Sequence, residues 1–295
     1  MKNILLTGGA GYIGSHVALS LIEHGYKVTI LDNLKTGHKK LIPKEAEFIK
    51  CDISDVKKLN LLFKKKNFIT LIHLAALIVV EESIKYPKTY IKNNSEKSAK
   101  LFKTCIKHGL RNIIFSSTAS VYGNRSKLPL KENTRLSPLN PYALSKVLTE
   151  QYLDKLSKEN KINYVSLRYF NVAGADPQLR CGLISNKSSH LIKVISEAVI
   201  KKRDYVKIFG NNYPTSDGTA IRDYVHVSDI AEAHVLSLEY LLAKKKSVVL
   251  NCGYGVGYSV KKILDKANLI TGDSIKIKVG KRRKGDALSL IANNN

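Results

Sequence analysis

The sequence predicts an α/β fold built on a doubly wound parallel sheet. Short apolar runs alternate with polar segments of helical periodicity through the first half of the chain, and Gly, Pro, Asp or Ser residues bound each run. This alternation is typical of a parallel sheet with helices on both faces. The predicted strands are Asn3–Leu6, Lys27–Leu31, Glu47–Ile49, Thr70–Leu74, Asn112–Ser116 and Tyr164–Arg168. The predicted helices are Ile13–His24, Val56–Lys65, Tyr90–His108 and Tyr142–Glu159.

The alternation becomes irregular beyond Asn171, where Gly, Pro, Asn and Ser are frequent. We therefore expect a sheet domain at residues 1–175 and a smaller C-terminal α/β domain at residues 176–295. Residues of about 218–240 are expected to return to the first domain. A chain of 295 residues has room for two domains, since a domain usually takes about 100–200 residues.

Charge is the most unusual bulk property of the chain. A formal net charge of +25 is of the kind found in nucleic-acid-binding proteins. The lysines, however, are spread along the whole sequence, and the short basic runs lack interleaved aromatic side chains. Asn and Ile, which share A/T-rich codons with Lys, are also frequent, so codon bias at surface positions explains the charge. We expect no nucleic-acid partner, although a basic surface attracts anionic substrates.

Neither a membrane segment nor a metal site is predicted. No run approaches the ~18 apolar residues of a membrane helix. The four cysteines, Cys51, Cys105, Cys181 and Cys252, form no C-x-x-C pair and have no zinc-site spacing. We interpret them as free thiols in a reducing compartment and expect a cytoplasmic protein.

A glycine-rich turn follows the first predicted strand and opens the first predicted helix. Its glycines, Gly8, Gly11 and Gly14, have the spacing G-x-x-G-x-x-G. Glycine here permits a tight turn and lets backbone N–H groups approach a pyrophosphate, to which the helix N-terminus adds positive potential. The turn, with Tyr12 and Ile13, is therefore predicted to bind the phosphates of a dinucleotide.

Acidic residues at two strand ends predict the type of dinucleotide. Asp32 ends the second strand, where a carboxylate hydrogen-bonds the ribose hydroxyls and repels a 2′-phosphate, so NAD is favoured. Three nearby lysines, at positions 35, 39 and 40, leave NADP as the alternative. Asp52 and Ile53 follow the third strand and are placed to flank the adenine. An ordinary strand-end turn explains these two residues equally well.

A Tyr-x-x-x-Lys pair marks the candidate catalytic helix. Tyr142 and Lys146 lie one helical turn apart, and an ammonium beside a phenol favours the phenolate, so the tyrosine becomes a usable base near neutral pH. The same spacing recurs at positions 240/244 and 258/262, which we interpret as chance because both lie far from the glycine turn. Thr118 ends the preceding strand and is expected to hydrogen-bond the substrate hydroxyl that Tyr142 deprotonates.

Two sets of segments resemble a known family. Gly8–Gly14, His73–Ala76, Ser116–Gly123, the Tyr142/Lys146 pair and Arg168–Asn171 resemble the extended short-chain dehydrogenase/reductases, which include the NAD-dependent epimerases and dehydratases. The second set resembles the UDP-glucose 4-epimerases of that family. It comprises Asp32–Leu34, Phe209–Asn211, Gly218–Val227 and Arg282–Asp286. The resemblance covers essentially the whole chain.

The resemblance implies a Rossmann sheet with bound NAD and the interconversion of UDP-glucose and UDP-galactose. Tyr142 would take the proton of the sugar 4-hydroxyl while C4 passes a hydride to NAD, with Lys146 on the nicotinamide ribose and Thr118 assisting. The 4-keto sugar would then turn over and receive the hydride on its other face. The residues expected around the cofactor are Gly8, Gly11, Tyr12, Ile13, Gly14, Asp32, Asn33, Asp52, Ile53, Leu74, Ala75, Asn93, Ser116, Tyr142, Lys146 and Tyr169. Those expected around the UDP-sugar are Thr118, Asn171, Leu191, Phe209, Arg222, Arg283 and Asp286, the two arginines holding the diphosphate.

Departures from the family pattern bear on the reaction and the substrate. Ala119 and Ser120 stand where the dehydratases carry an Asp-Glu pair, which favours epimerisation over loss of water. Leu290 stands where family members set the pocket size and is neither bulky and aromatic nor small, so UDP-N-acetylhexosamine and UDP-uronate stay open as substrates. Family members usually continue some tens of residues further, which leaves an inactive NAD-binding remnant as another alternative. By family analogy we expect a homodimer through Tyr90–His108 and Tyr142–Glu159.

Overall fold

The structure, a computed structural model, describes residues 2–125, 127–185, 188–272 and 274–294. Its strands are β1 (Asn3–Thr7), β2 (Lys27–Asp32), β3 (Glu47–Lys50), β4 (Thr70–His73), β5 (Asn112–Thr118), β6 (Asn163–Tyr169), β7 (Asn171–Ala173), β8 (Val206–Phe209), β9 (Ile221–His226), β10 (Val248–Cys252), β11 (Gly257–Ser259), β12 (Ile277–Gly280) and β13 (Ser289–Leu290). Its α-helices are α1 (Tyr12–Glu23), α2 (Val56–Lys65), α3 (Val80–Lys85), α4 (Pro87–Ile91), α5 (Lys97–Lys107), α6 (Pro141–Lys158), α7 (Leu191–Val199), α8 (Val227–Lys244) and α9 (Val260–Thr271). A π-helical segment, Lys92–Glu96, joins α4 to α5.

Seven of the described strands form one parallel sheet in the order β10-β6-β5-β4-β1-β2-β3. The chain builds this sheet outward from β1 in both directions, so the strand order reverses between β1 and β4. Such a reversal leaves a crevice at the carboxyl ends of the strands, where ligands of these sheets bind. The doubly wound parallel sheet that the sequence predicts is confirmed. Its seventh strand, β10, is missing from the predicted set because the long irregular segment separates it in sequence from β6.

Two apolar layers enclose the sheet. On one face Leu5, Leu71 and Ile113 pack against α2, α5 and α6. On the other face Ile4 and Ile72 pack against α1 and α8. Because both faces are buried, the strands are nearly continuous apolar runs rather than alternating ones. The division of the chain at residue 175 stays a prediction, and the structure adds that α8 and β10 lie on this sheet.

A smaller α/β region follows β7, as the sequence predicts. Strand β9 lies at its centre and pairs with β7, β11 and β13, while β8 pairs with β12 in a separate two-stranded sheet. Helices α7 and α9 pack on β8 through a cluster that includes Val194, Ile208 and Leu264. These contacts give the region its own small apolar core.

A buried carboxylate holds the C-terminal segment in place. Asp223, in β9, is 0% exposed. Its Oδ1 accepts a hydrogen bond from the amide of Tyr254 at 2.9 Å, and its Oδ2 accepts from the amides of Gly255 at 2.9 Å and Ala292 at 3.1 Å. Ala292 also forms a parallel bridge with Leu130. The segment that ends near residue 292 is therefore tied both to β9 and to the loop after β5.

A buried ion pair joins α6 to the sheet. The Glu150 Oε1 atom accepts from Arg168 Nε at 3.0 Å, and Oε2 accepts from Arg168 Nη2 at 2.7 Å. The hydroxyls of Ser117 and Ser166 also donate to Oε1. The Arg168 Nη1 group donates to the hydroxyl of Tyr122 at 2.9 Å. Because both charges are paired bidentately and hydrogen-bonded further, their burial is compensated.

Removal of one partner should expose the cost of this burial. We expect Glu150→Ala to lower the free energy of unfolding by about 3–5 kcal/mol, because it leaves the Arg168 guanidinium buried and unpaired. Urea denaturation followed by circular dichroism measures the change. The control is Glu159→Ala at the exposed end of the same helix, where we expect an unchanged midpoint. Equal midpoints for the two variants would contradict the assignment.

Candidate active site

The glycine turn has no room for a side chain at Gly8 or Gly14. Gly8 has φ +75°, and a Cβ atom there would lie 2.6 Å from the amide nitrogen of Ala75. A Cβ atom on Gly14 would lie 2.1 Å from the carbonyl oxygen of Gly8, and the amide of Gly11 donates to that same oxygen at 3.0 Å. Helix α1 begins at Tyr12, directly after the turn. The helix N-terminus therefore follows the turn at the carboxyl end of β1, an arrangement that fits a pyrophosphate.

The Asp32 carboxylate lies beside this turn. Its Oδ2 accepts from the amide of Ala10 at 3.2 Å, and its Oδ1 accepts from the amide of Leu34 at 2.8 Å. These bonds fix its orientation at the carboxyl end of β2. A carboxylate at this end of β2, next to the phosphate cradle, fits the ribose of a dinucleotide that lacks a 2′-phosphate.

Asp52 lies at the same edge of the sheet. It accepts hydrogen bonds from Lys97 Nζ at 2.8 Å, from the amide of Ser54 at 3.0 Å and from Asn33 Nδ2 at 3.2 Å. Burial opposes its ionisation, but the hydrogen bonds from Lys97 and Ser54 outweigh burial and lower the pKa of Asp52. The Ile53 side chain packs into the core on the α2 face. Any contact of Ile53 with the adenine, which stays a prediction, would therefore come from its backbone.

A histidine that the sequence analysis assigns no role fixes the end of β4. The His73 ring lies 2.7 Å from Thr7 Oγ1 through Nδ1 and 2.7 Å from Ser98 Oγ through Nε2. Ser98 donates its own proton to the carbonyl of Asn94 at 2.7 Å, so Nε2 must donate to Ser98 and Nδ1 must accept from Thr7. Burial lowers the pKa of His73 to about 3, which keeps this neutral tautomer. The relay aligns β1, β4 and the π-helical segment beneath the crevice.

The three predicted catalytic residues come together at the end of β5. The phenol of Tyr142 shares a hydrogen bond with Thr118, the last residue of β5. Lys146 lies one turn further along α6, where its Nζ donates to the carbonyl of Ser116 at 2.6 Å. That ammonium also lies 4.8 Å from the centre of the Phe115 ring. A phenol, a hydroxyl and an ammonium thus share one corner of the crevice, which suits proton transfer to and from a substrate hydroxyl.

Burial disfavours charge on both titratable members of this trio. It raises the pKa of Tyr142, against which the Thr118 hydrogen bond acts. It lowers the pKa of Lys146 to about 7, against which the Glu150 charge acts. The shift of Tyr142 is opposite in sign to the predicted acidification by Lys146. The reason is that the cost of desolvating a phenolate in the protein outweighs the help of the neighbouring groups.

The other residues expected around the cofactor differ in which of their groups remain available to contact it. Leu74, Ala75 and Asn93 are half-buried at the end of β4 and in the π-helical segment. The hydroxyl of Tyr12 donates to the carbonyl of Gly174 at 2.7 Å. The hydroxyl of Tyr169 lies 2.7 Å from His234 Nε2 and is buried. The two phenol groups are thus committed to partners in the protein, which leaves their rings or backbones for the predicted contacts.

Two of the predicted substrate residues stack on one another. The Arg283 guanidinium lies 3.6 Å from the centre of the Phe209 ring, at the end of β8. Arg283 Nε also lies 3.2 Å from a carboxylate oxygen of Glu81, in α3. A guanidinium on an aromatic face keeps its edge open to an anion while its plane is held in position.

Arg222 and Asp286 complete this charged group. The Arg222 guanidinium donates to the backbone carbonyls of Ala287 at 2.7 Å, Ile221 at 2.8 Å and Leu288 at 3.2 Å. Burial raises the pKa of Asp286, and the charges of Arg222 and Arg283 act against that rise. Arg222 thus fixes the segment that carries Asp286, and Arg283 is the less committed of the two predicted diphosphate ligands.

Asn140 connects this group with the catalytic helix. Its Oδ1 accepts from the amide of Ala143 at 2.8 Å and caps α6, and its Nδ2 donates to the carbonyl of Gly285 at 3.0 Å. Tyr142 and the segment of Arg283 are therefore parts of one site. Asn140 is not among the predicted site residues, although Asn followed by Pro is a helix-start signal that marks it. For Asn171 and Leu191, half-buried in β7 and at the start of α7, the substrate role stays a prediction.

In the part of the chain that the structure describes, no three His, Cys, Asp or Glu side chains are arranged to hold a metal ion. Among the described helices, none combines the length and apolar character needed to cross a bilayer.

The buried Lys146 should make stability depend on pH. In the unfolded chain its pKa returns to 10.5, against about 7 in the folded protein. Between about pH 7 and pH 10 the unfolded state therefore binds the extra proton, and stability rises with pH by up to about 1.4 kcal/mol per unit. We expect Lys146→Met to remove this rise, as measured by urea denaturation at several pH values on nucleotide-stripped protein. The exposed Lys155→Met on the same helix should retain it, and a rise that persists in Lys146→Met refutes the buried ammonium.

Sequence comparison matches the chain to known enzymes. Residues 4–253 match the family model described as the NAD dependent epimerase/dehydratase family. A UDP-glucose 4-epimerase from Halalkalibacterium halodurans is 42% identical over 289 residues, which are 98% of this chain and 86% of that protein. One from Azospirillum brasilense is 40% identical over 289 residues, 98% of this chain and 83% of that protein.

Solved structures agree with the fold. The UDP-glucose 4-epimerase from Stenotrophomonas maltophila, with bound NAD and formylated UDP-arabinopyranose, superposes with a TM-score of 0.95 at 34% identity and covers 99% of this chain and 90% of that one. The UDP-Glc/GlcNAc 4-epimerase from Campylobacter jejuni gives a TM-score of 0.84 at 39% identity, covering 99% and 91%. The sequence match, the sheet order and the glycine turn together lead to one conclusion: the chain belongs to the NAD-dependent epimerase/dehydratase family.

Proposed function

We propose that this protein is an isomerase that interconverts UDP-glucose and UDP-galactose at C4 with a retained NAD. The observation that carries the proposal is the Thr118, Tyr142 and Lys146 trio at the end of β5, in the same crevice as the glycine turn. Relatives at 40–42% identity over nearly the whole chain are UDP-glucose 4-epimerases, which supports this choice of reaction. Ala119 and Ser120, next to Thr118, supply no acid and base for dehydration.

The cofactor fits the residues present. The turn around Gly8 and Gly14 would hold the pyrophosphate against the first amides of α1, and Asp32 would hydrogen-bond the adenosine ribose. The carboxylate of Asp32 beside the cradle favours NAD over NADP, because a 2′-phosphate there meets like charge. NAD, when bound, supplies an acceptor that takes the hydride from C4 and returns it to the other face.

The protein's own part in the reaction is proton transfer and orientation. Tyr142 acts as the phenolate, accepts the proton of the 4-hydroxyl to become the phenol, and returns that proton after the 4-keto sugar has turned. Thr118 hydrogen-bonds the same phenol and holds its oxygen toward the substrate. Lys146 contributes its charge, which stabilises the phenolate that exists before the proton is accepted and after it is returned, and would bind the nicotinamide ribose. Arg283 and Asp286 hold the UDP part, so the hexose alone is free to rotate.

Replacement of Gly14 should remove the cofactor. We expect Gly14→Ala to purify without NAD, because its methyl group would lie 2.1 Å from the Gly8 carbonyl oxygen and force the turn apart. NAD released by denaturation, quantified per protein chain, is the measurement. Gly182→Ala is the matched control, since a Cβ there meets its nearest neighbour at an ordinary 3.5 Å. Full NAD content in Gly14→Ala would show that the dinucleotide lies elsewhere.

Loss of the phenol should stop turnover without loss of the fold. We expect Tyr142→Phe to reduce kcat on UDP-galactose by at least about 100-fold, which is the usual contribution of a positioned acid–base group. Tyr240→Phe is the control, because it disrupts another Tyr-x-x-x-Lys spacing, at the C-terminal end of α8. Coupled assays of UDP-glucose formation give the rates. Comparable rates for the two variants would refute the role of Tyr142.

The substrate range turns on Leu290. This side chain is 6% exposed and packs in a cluster with Val121 and Tyr122, on the segment that follows Thr118. A leucine leaves more space here than an aromatic ring, and the Campylobacter jejuni relative acts on both UDP-Glc and UDP-GlcNAc by its name. Assays on UDP-galactose and UDP-N-acetylgalactosamine in parallel separate a strict hexose epimerase from a dual one. A chain that retains NAD and turns over neither sugar would instead be an inactive remnant.

We also propose that two copies associate through α6. Leu144, Leu148 and Tyr152 recur every four residues on this helix and are all partly exposed, Leu144 at 41%. Such an apolar stripe on one face is typical of helices that pack against a symmetry mate. The four unpaired thiols support a reducing location, the cytoplasm, for this assembly.

A charge on that stripe should separate the copies. We expect Leu144→Lys to halve the mass in solution, because the ammonium would have to be buried against its partner. Light scattering after size-exclusion chromatography measures the mass. Leu236→Lys, on α8 and 57% exposed, is the matched control. The same mass for both variants would place any interface elsewhere.

A further inference from the structure

Glu81 links the two halves of the site. It lies in α3, after the loop that leaves β4, and its carboxylate is 3.2 Å from Arg283 Nε in the C-terminal segment. The Glu81 side chain is 65% exposed, whereas that of Arg283 is 20% exposed. The carboxylate also acts on Asp286, whose pKa it raises together with burial. Glu81 therefore belongs to the same charged group as Arg222, Arg283 and Asp286.

Within this group Arg283 is the guanidinium open to a further anion. The terminal nitrogens of Arg222 already donate to three backbone carbonyls. Arg283 is held by its face on Phe209, and its Nε atom is buried without a hydrogen bond, because the Glu81 contact is ionic rather than directed. Arg283 Nε is thus a donor that no protein group uses in a hydrogen bond, and the Glu81 carboxylate lies beside it.

The charges in the group already balance. Two guanidinium groups face two carboxylates, so the formal sum is zero. The diphosphate of a nucleotide sugar brings two further negative charges, and an anion that approaches Arg283 meets the charge of the Glu81 carboxylate, 3.2 Å from Arg283 Nε. Because Glu81 is mostly exposed, its side chain can turn into solvent at little cost, since exposed ion pairs contribute little to stability. Asp286, by contrast, is enclosed and stays.

We propose that Glu81 competes with the diphosphate of the substrate for Arg283 and thereby sets the affinity of the site for nucleotide sugars. The proposal rests on the proposed function only in the assignment of the diphosphate to Arg283. Glu81 itself touches no reacting atom. It acts on binding and release, because a carboxylate that returns to Arg283 helps to displace the product.

The test removes the charge of Glu81 and keeps its size. For the NAD-containing enzyme we expect Glu81→Gln to tighten the Kd of UDP, measured by isothermal titration calorimetry, by roughly two- to fivefold at low salt. KM for UDP-galactose should fall by the same factor at unchanged kcat. The gain should shrink at high ionic strength, because exposed charges are screened. Glu45→Gln, on an exposed turn before β3, changes the net charge equally and should alter neither constant.

A double variant shows whether the effect passes through Arg283. In an Arg283→Met background, Glu81→Gln should no longer change the Kd of UDP. Weaker or equal UDP binding by Glu81→Gln overturns the proposal, as does a gain that survives the loss of Arg283. The titration needs no turnover. Tighter UDP binding in a protein that converts no sugar would therefore reject the proposed reaction and leave the role of Glu81 standing.

Discussion

The site depends on how α6 is fixed to the sheet. Tyr142, Lys146 and Glu150 follow one another at four-residue intervals and so share one face of the helix. Glu150 anchors that face through its bidentate pair with Arg168 of β6. Glu150 also accepts a hydrogen bond from Ser117 of β5. Since β5 ends in Thr118, the same bonds that hold the helix set the distance between the phenol and the strand. The geometry of the proposed catalytic trio is therefore set by contacts in the core rather than by a loop.

The titratable groups of the proposed catalytic trio are buried away from water. Tyr142 and Lys146 are both shifted toward their neutral forms. In such surroundings a proton moves between phenol and sugar without a large rearrangement of solvent, and each remaining charge acts over a longer range than in water. The environment differs at the predicted substrate-binding end of the site. Four formal charges lie close together there, and Glu81 is largely exposed to solvent. The proposed proton transfer thus takes place in a buried environment, and the proposed binding of the diphosphate takes place in a more exposed one.

The sequence was sufficient for the sheet and the glycine turn but not for the contacts between distant segments. Six strands are predictable because both faces of the sheet are buried, which leaves continuous apolar runs in the sequence. The glycine turn is predictable because a Cβ atom does not fit at Gly8 or Gly14. The Glu81 contact is invisible in sequence, since 202 positions separate it from Arg283. The direction of the pKa shift of Tyr142 was predicted wrongly, because the spacing of two residues does not show how deeply the phenol is buried. Asn140 carried a legible cap signal that was overlooked.

Asp223 has a consequence for the way the molecule assembles. Its carboxylate accepts from amides 31, 32 and 69 positions further along the chain. A ribosome therefore releases the glycine turn, α6 and most of the sheet well before the last of these amides emerges, and domains tend to fold in that order. The nascent chain can form the glycine turn and the strand that ends in Thr118 while the segment that carries Arg283 and Asp286 is still unmade. The two ends of the proposed site are thus completed at different times during synthesis.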